Sequence, residues 1–218
     1  MSNLVKRIIT SILLAVVLLF CLFYNKNLWL LLLLLVSIIS FFEFSKLINK
    51  IFKNRNISIT LINLTTLFYL IFFTFSAYDL AEVNVNIFFV ILVCIFSDIG
   101  GYVVGKTVGG KKLTKISPNK TVSGSIGSFV FSFIPLFIFS ILFYEKINSL
   151  FINLIFLSIF ISLISQVGDL FISFFKRKAG VKDTGNILPG HGGILDRIDG
   201  MIFAIPVTFI FNEMFLKL

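Results

Sequence analysis

The stretch Ser173–Asp199, with the sequence SFFKRKAGVKDTGNILPGHGGILDRID, determines how the rest of the chain is interpreted. It contains five of the 19 basic residues, three of the ten acidic residues and the single histidine. Long apolar runs flank it on both sides. Because charge is expensive beside lipid, and because loops on a rigid scaffold commonly carry function, we expect this connection to hold the chemistry of the protein.

The composition predicts an all-α protein that is embedded in a membrane. Hydrophobic residues make up 58% of the chain and charged residues 13%, and the mean hydropathy is +1.05. A soluble domain has about a quarter of its residues charged. The apolar runs are too long for strands, which disfavours the alternative of a soluble β-rich domain.

Seven apolar segments are predicted to cross the bilayer as helices of one polytopic bundle. They suit a hydrocarbon layer of about 30 Å, with the second and the last at the short end. The first is interpreted as a retained span, because it is too long for a signal peptide and no small-residue cleavage site follows it. The segments are 8–24, 28–42, 57–77, 85–104, 126–144, 150–172 and 200–216.

The basic residues predict the orientation of these spans. With a cytoplasmic N-terminus, the segments facing inside (1–7, 43–56, 105–125 and 173–199) hold 16 of the 19 Lys and Arg. The remaining three are Lys26, Lys146 and Lys217. This positive-inside bias predicts a multi-pass protein of the inner (cytoplasmic) membrane with its polar loops in the cytoplasm. It also explains the net charge of +9 without a nucleic-acid partner.

Glycine divides the chain into two functional parts. All 14 glycines fall between Gly100 and Gly200. We therefore interpret residues 1–84 as a transmembrane scaffold and residues 85–218 as the catalytic region, with two cytoplasmic loops, within a single membrane domain. Glycine in loops indicates sharp turns or close approach of a ligand, although glycine also packs membrane helices together.

Polar residues follow the fourth predicted span. Asp98 lies near its cytoplasmic end, and an ionisable group inside a span is a functional hypothesis by default. Lysines and short donors come next, in the sequence Ser117-Pro118-Asn119-Lys120-Thr121. Backbone N–H, hydroxyl and ammonium groups together can bind phosphate oxygens, which is one interpretation of this loop. Contact with anionic lipid headgroups is the other.

Residues Gly100–Thr107 match the P-loop pattern G-x-x-x-x-G-K-[ST]. That motif needs a preceding strand and a following helix. Here the pattern overlaps a predicted membrane helix, so we interpret the match as a coincidence.

Carboxylates are clustered around the opening stretch. Asp169 lies at membrane depth, and Ser173 follows one helical turn later on the same face. Asp196 and Asp199 are three residues apart, so a helix there would direct both carboxylates to one side. Carboxylates among Lys and Arg indicate Mg²⁺ with a phosphorylated substrate. The alternative is a set of ion pairs that hold loops in place.

His191 is a lone histidine between glycines, in the sequence Pro189-Gly190-His191-Gly192-Gly193. A single histidine does not form a zinc site. Donation to a phosphate and a hydrogen bond within the loop remain open as its roles.

Residues 173–199 resemble the signature of the phosphatidate cytidylyltransferase (CDP-diacylglycerol synthase) family. The shared pattern is S-x-apolar-K-R, then K-D after four residues, then P-x-H-G-G and D-R-x-D. The Ser97-Asp98 pair and the Ser117–Thr121 stretch resemble the cytoplasmic loop of that family. The resemblance covers roughly residues 90–205.

The resemblance implies an enzyme of phospholipid biosynthesis. It would transfer the cytidylyl group of CTP to phosphatidate, giving CDP-diacylglycerol and pyrophosphate, with Mg²⁺ as cofactor. The implied metal ligands are Asp169, Asp196 and Asp199. The implied catalytic residues are Asp169, Lys182, Asp183, His191, Asp196, Arg197 and Asp199. The implied substrate-binding residues are Asp98, Ser117, Pro118, Asn119, Lys120, Thr121, Ser173, Lys176 and Arg177.

The implied roles separate two groups of basic residues. Lys120 and its neighbours would bind the phosphates of CTP, whereas Lys176, Arg177, Lys182 and Arg197 would hold phosphatidate or the triphosphate. The chain departs from the family in two ways: Ser123 stands where the family has glutamate in K-T-x-E-G, and the chain is short.

Two other functions are compatible with the sequence. A CTP-dependent polyprenol kinase-like enzyme would transfer a γ-phosphoryl group instead of a cytidylyl group. An ion-coupled secondary transporter would use the intramembrane Asp98 and Asp169, but it does not explain a polar loop of this size. The sequence leaves open whether the protein is a homodimer.

Overall fold

The computed structural model of the protein describes residues 3–53, 55–142 and 151–211. The chain forms two compact units, each built from two segments. The first is Met1–Glu82 with Phe174–Asp199, and the second is Val83–Ser173 with Gly200–Leu218. The functional division predicted at residue 84 stays a prediction. Of the lysines predicted to face outside, Lys146 and Lys217 lie beyond the described residues.

The described residues are helical apart from the connections, of which those at residues 108–121 and 179–194 are the longest, and two isolated bridges. The helices are α1 (Asn3–Tyr24), α2 (Lys26–Ile51), α3 (Asn56–Leu80), α4 (Asn84–Thr107), α5 (Val122–Phe131), α6 (Phe133–Leu142), α7 (Phe151–Lys178), α8 (Leu195–Ile198) and α9 (Met201–Ile210). This architecture confirms the predicted fold class, an all-α polytopic membrane protein.

Each of the seven predicted spans overlaps helical structure: the fifth falls on the two helices α5 and α6, and the last falls on α9, which ends at Ile210. Residues 143–144, 150 and 212–216 of the predicted spans lie outside the described residues. Among the described residues, five helical segments are long and apolar enough to cross a membrane: α2, α3, α4, the α5–α6 pair over Val122–Leu142, and α7. The apolar part of α1, Ile8–Tyr24, and α9 are shorter. The second span is longer than its apolar run of residues 28–42, because the helix begins at Lys26, after the N-cap Asn25, and continues to Ile51.

In the first unit, a buried seam joins α2 to α3. The indole N–H of Trp29 donates to the Ala77 carbonyl at 3.1 Å, and the hydroxyls of Ser37 and Thr74 are 2.7 Å apart. These bonds satisfy polar groups that would otherwise be orphaned between apolar helices, so they fix the register of the pair.

In the second unit, α4 and α5 pack closely through glycines. A Cβ atom added at Gly100 would come within 2.5 Å of the Gly127 carbonyl oxygen and of the Phe131 Cβ. A Cβ at Gly124 would lie 2.8 Å from the Gly101 carbonyl oxygen. Small residues let membrane helices approach each other in this way. The glycines of α4 and α5 therefore serve helix packing, which was one of the two interpretations of the glycine pattern.

The P-loop match is indeed a coincidence. Gly100–Thr107 forms the last turns of α4, and its backbone N–H groups belong to the helix. A helical segment cannot wrap a phosphate in the manner of a P-loop.

Gly100→Ala is expected to destabilise the protein by about 1–3 kcal/mol, because one methyl group would collide with the backbone of α5. The loss should occur even though alanine is the better helix former. Thermal unfolding of the purified protein in lipid nanodiscs measures it. Val130→Leu is the matched control, since it also adds one carbon but on an exposed face of α5. Equal melting temperatures for the two variants would contradict close α4–α5 packing.

Candidate active site

A polar cavity of about 320 Å³ lies in the second unit, and we call it the Lys120 pocket. Helices α4, α5 and α7 and the connection of residues 108–121 form its walls. Its lining residues are Asp98, Gly101, Tyr102, Leu113, Ser117, Asn119, Lys120, Thr121, Gly124, Ser125, Ser128, Gln166 and Asp169. The structure thus brings Asp169 to the same cavity as most of the loop residues predicted to bind CTP.

An ion pair crosses the Lys120 pocket. The Lys120 ammonium contacts Asp169 Oδ2, and about a quarter of each side chain is exposed (28% and 26%). The Ser173 hydroxyl donates to Asp169 Oδ1 at 3.2 Å, which confirms that these two residues share a helix face. An ammonium group has three N–H donors, so the pair with Asp169 leaves Lys120 able to bind an anion as well.

The connection before α5 holds Lys120 in place through its own backbone. Gly109 and Gly110 have positive φ angles (64° and 104°), and they reverse the chain after α4. Leu113 N–H then donates to the Lys120 carbonyl at 2.8 Å. The Thr121 hydroxyl caps α5 by accepting from Gly124 N–H at 3.0 Å.

Ser123, at the position where the resemblance led us to expect glutamate, serves this connection. Its hydroxyl donates to the Gly109 carbonyl and lies 2.9 Å from the Thr121 hydroxyl. The side chain therefore ties the start of α5 to the turn that follows α4.

A second set of predicted residues lies in the first unit, on the segment of residues 179–199, which we call the polar loop. Asp196 organises it. Its Oδ1 accepts from the Lys176 ammonium at 2.7 Å. Its Oδ2 accepts from Thr184 N–H at 2.8 Å, from the Thr184 hydroxyl at 2.9 Å and from Gly193 N–H at 3.0 Å. Asp196 therefore joins both ends of the polar loop to the end of α7.

These contacts determine the protonation of Asp196. Burial by itself would raise the pKa of the carboxyl group, because it removes water from the charged form. The Lys176 ammonium and the N–H groups of Gly193 and Thr184 outweigh burial, and they hold the pKa below its ordinary value. Asp196 is therefore an anion at neutral pH.

His191 is held by hydrogen bonds on both sides of its ring. Nδ1 lies 2.5 Å from the Thr10 hydroxyl, and Nε2 lies 3.1 Å from the Ser11 hydroxyl. The backbone carbonyl of His191 accepts from Arg197 Nη2 at 2.8 Å. These two contacts bond the ring to α1, outside its own loop, and donation to a phosphate stays a prediction.

The other predicted residues of this unit differ in exposure. Lys176 is buried with Asp196, and the exposed fractions of the two side chains are 11% and 4%. Arg177, Lys182, Asp183 and Arg197 are exposed, and Asp199, at the C-cap of α8, is partly exposed. The exposed basic residues are thus available to a ligand, whereas Lys176 is engaged by the protein.

Glu43 on α2 contacts the polar loop but was not predicted from the sequence. It is only 2% exposed, and its carboxylate accepts hydrogen bonds from Thr184, Ile194 and Leu195. The available signal was an acid directly after the apolar run of residues 28–42. Such a residue is indistinguishable in sequence from an ordinary interfacial charge.

The carboxylates of the Lys120 pocket fit a magnesium ion that arrives with phosphates. Asp98 and Asp169 border one cavity together with hydroxyl and amide groups. Mg²⁺ takes one or two protein carboxylates and leaves its other positions to phosphate and water. Among the described residues, no group of three or more His, Cys, Asp or Glu side chains could hold a metal. The ligand set Asp169, Asp196 and Asp199 stays a prediction.

The chain is similar to curated bacterial proteins named phosphatidate cytidylyltransferase. It is 42% identical over 130 residues to the one from Bacillus subtilis, covering 59% of this chain and 48% of the relative. It is 44% identical over 128 residues to the one from Rickettsia bellii, covering 55% and 54%. For Helicobacter pylori the identity is 41% over 121 residues, covering 55% and 44%. The chain spans about half the length of the curated relatives it matches.

A sequence profile described as the cytidylyltransferase family matches residues 53–215. The match includes both the Lys120 pocket and the polar loop, and it covers well over half of the chain. The chain therefore belongs to the cytidylyltransferase family.

Proposed function

We propose that the protein is a phosphatidate cytidylyltransferase, which joins CTP and phosphatidate to give CDP-diacylglycerol and pyrophosphate. The observation that carries this proposal is the Lys120 pocket, where an ammonium group and two carboxylates meet among hydroxyl and amide groups. The names of the three relatives support the choice of substrates.

The Lys120 pocket suits the phosphates of CTP. The reaction forms a bond from a phosphatidate oxygen to the α-phosphorus of CTP and breaks the bond from that phosphorus to the bridging oxygen of pyrophosphate. Both reactants are anions, so the protein must supply positive charge and orientation. Lys120 can donate to a phosphate while it stays paired with Asp169, and Ser117, Asn119 and Thr121 add neutral donors.

The donor set of the Lys120 pocket supports a Mg²⁺ site in the same place. Asp98 and Asp169 would hold Mg²⁺ there, whereas the ligand roles of Asp196 and Asp199 stay predictions from the sequence. When bound, the ion supplies positive charge at the phosphate oxygens. The phosphate nucleophile is already ionised at neutral pH, so no protein side chain needs to remove a proton from it.

The exposed basic residues in the polar loop and at the end of α7 suit the headgroup of phosphatidate. Arg177, Lys182 and Arg197 are exposed in the first unit. Arginine matches a phosphate with two parallel hydrogen bonds, and lysine adds a point charge. We propose that both loops face the cytoplasm, at the inner membrane, where CTP and the lipid headgroup meet.

Product analysis tests the proposed function directly. The purified protein in nanodiscs containing phosphatidate is incubated with CTP labelled at the α-phosphorus, with and without Mg²⁺. We expect labelled CDP-lipid and free pyrophosphate with Mg²⁺ present, and neither product after chelation. A phosphorylated alcohol with CDP as co-product, or no lipid product, would refute the proposal.

Lys120→Met is expected to lower kcat/KM for CTP about 100-fold or more, because it removes the charge that faces the phosphates. Methionine keeps the unbranched shape of the side chain. Lys115→Met is the matched control, since Lys115 belongs to the same connection and is exposed outside the pocket lining. Equal loss in the two variants would mean that only the overall charge of the connection matters.

Asp196→Asn is expected to reduce turnover to a few per cent of the wild-type value or less, with the protein still inserted and folded. The folded carboxyl has a lowered pKa, so its stabilising effect is present above about pH 4 and is lost as the pH falls further. The difference in melting temperature between wild type and variant should therefore be constant from about pH 7 to pH 5 and shrink below about pH 4. A difference that grows on acidification would contradict an ionised Asp196.

A further inference from the structure

We propose that Glu43 is a positioning residue of the active site, which acts by fixing the polar loop so that Asp196 and Arg197 are held in one arrangement. The proposal rests on the proposed function. Glu43 precedes the region that matches the cytidylyltransferase family, which begins at residue 53. With Glu43, the N-terminal scaffold contributes a residue to the site, whereas the sequence had predicted functional residues only within residues 85–218.

Three donors of the polar loop bind the carboxylate of Glu43. Oε1 accepts from Ile194 N–H at 3.1 Å, and Oε2 accepts from Leu195 N–H at 2.8 Å and from the Thr184 hydroxyl at 3.0 Å. Ile194 is the N-cap of α8, and its own side chain makes no capping hydrogen bond. Glu43 therefore satisfies the two N–H groups that immediately precede Asp196, a task usually done by a local cap.

Thr184 links Glu43 to Asp196. Its hydroxyl lies 3.0 Å from Glu43 Oε2 and 2.9 Å from Asp196 Oδ2. A hydroxyl has one proton, so it donates to one of these acids at a time and keeps both within reach. A displacement of Glu43 would therefore change the position of Asp196, because only the Thr184 side chain lies between them.

Two glycines of the polar loop are fitted to Glu43. A Cβ atom at Gly185 would overlap Oε1, and a Cβ at Gly193 would overlap both carboxylate oxygens. The loop can close around the acid only because these positions lack side chains. Gly185 and Gly193 thus have a reason to be glycine that is independent of backbone conformation.

The packing of α2 holds the backbone of Glu43 in a fixed position. The next residue, Phe44, packs edge-to-face on Phe175 with ring centroids 5.1 Å apart. Further along α2, Ser37 is bonded to Thr74 of α3. A buried acid is expensive unless several donors satisfy it, and an apolar side chain would fill the same space at lower cost. We therefore assign Glu43 the role of holding the polar loop in one conformation, and not that of filling the core.

Glu43→Gln in the full chain tests the proposal. The amide keeps the volume but turns one acceptor into a donor that faces the N–H groups of the loop. We expect amide hydrogen exchange to accelerate at least about tenfold in peptides covering residues 184–196, with exchange elsewhere in the first unit unchanged. We expect kcat/KM for phosphatidate to fall at least about tenfold while KM for CTP stays within about twofold. Glu82→Gln, at an exposed glutamate, is the control.

Two results would overturn the positioning role. One is wild-type exchange of residues 184–196 in Glu43→Gln. The other is faster exchange throughout the first unit together with an activity loss that merely follows the folded fraction. If Glu43→Gln does not fold, Thr184→Val and Thr184→Ser decide: valine should loosen the loop and serine should restore it, and equal behaviour of the two would reject the link. Wild-type protein that makes no CDP-lipid would reject the proposed function, while the exchange measurements still decide whether Glu43 anchors the loop.

Discussion

Hydrogen bonds to buried carboxylates take the place of a hydrophobic core in the polar loop. The segment is rich in glycine and charge, and Leu195 is its one deeply buried apolar side chain, so apolar burial alone does not order it. Asp196 and Glu43 instead accept from its backbone N–H groups and from Thr184. A loop fixed in this way has a defined shape at the end of a membrane helix. Arg197 depends on that shape, because the position of an exposed side chain is set mainly by the backbone that carries it.

In the second unit, a cation helps to order a polar connection that lacks a hydrophobic core. The connection of residues 108–121 is short of apolar anchors, and it is closed by its own backbone hydrogen bonds and by the contact of Lys120 with Asp169. Charge-assisted bonds of this kind are directional, so they position a side chain as well as stabilising it. In both units the groups proposed to bind phosphate belong to segments that are ordered by electrostatics.

Much of the fold was predictable because membrane helices are coded by length and composition. All seven apolar segments overlap helices within the described residues, although the fifth is divided into α5 and α6. The error at the second span arose because Glu43 and the residues after it were counted as a cytoplasmic connection. The polar segments were equally visible, since charge is rare in this chain. The pairings within them were not predictable. Asp196 with Lys176 and Lys120 with Asp169 depend on loop paths that no periodicity describes.

Glu43 shows most clearly what a sequence cannot predict, because its partners are 141 to 152 residues away, about two thirds of the chain, and two of the three are backbone N–H groups. Backbone donors leave no mark in a sequence, so the acid appeared to have no counterpart. The glycines at positions 185 and 193 are a trace of these contacts, but glycine in a loop equally indicates a sharp turn or the approach of a ligand. Long-range contacts between a side chain and a loop backbone are therefore the kind of interaction that sequence patterns miss.

Ser123 extends this argument to the departure from the family pattern. Its hydroxyl donates to the Gly109 carbonyl, and an ionised glutamate has no proton to donate. A glutamate at that position would instead bring its negative charge to the first turn of α5, where negative charge is favourable. The serine closes the turn after α4 instead, because the N-terminus of α5 is already capped by Thr121. Serine therefore satisfies the Gly109 carbonyl, which an ionised glutamate could not do, and this bond helps to close the connection that carries Lys120.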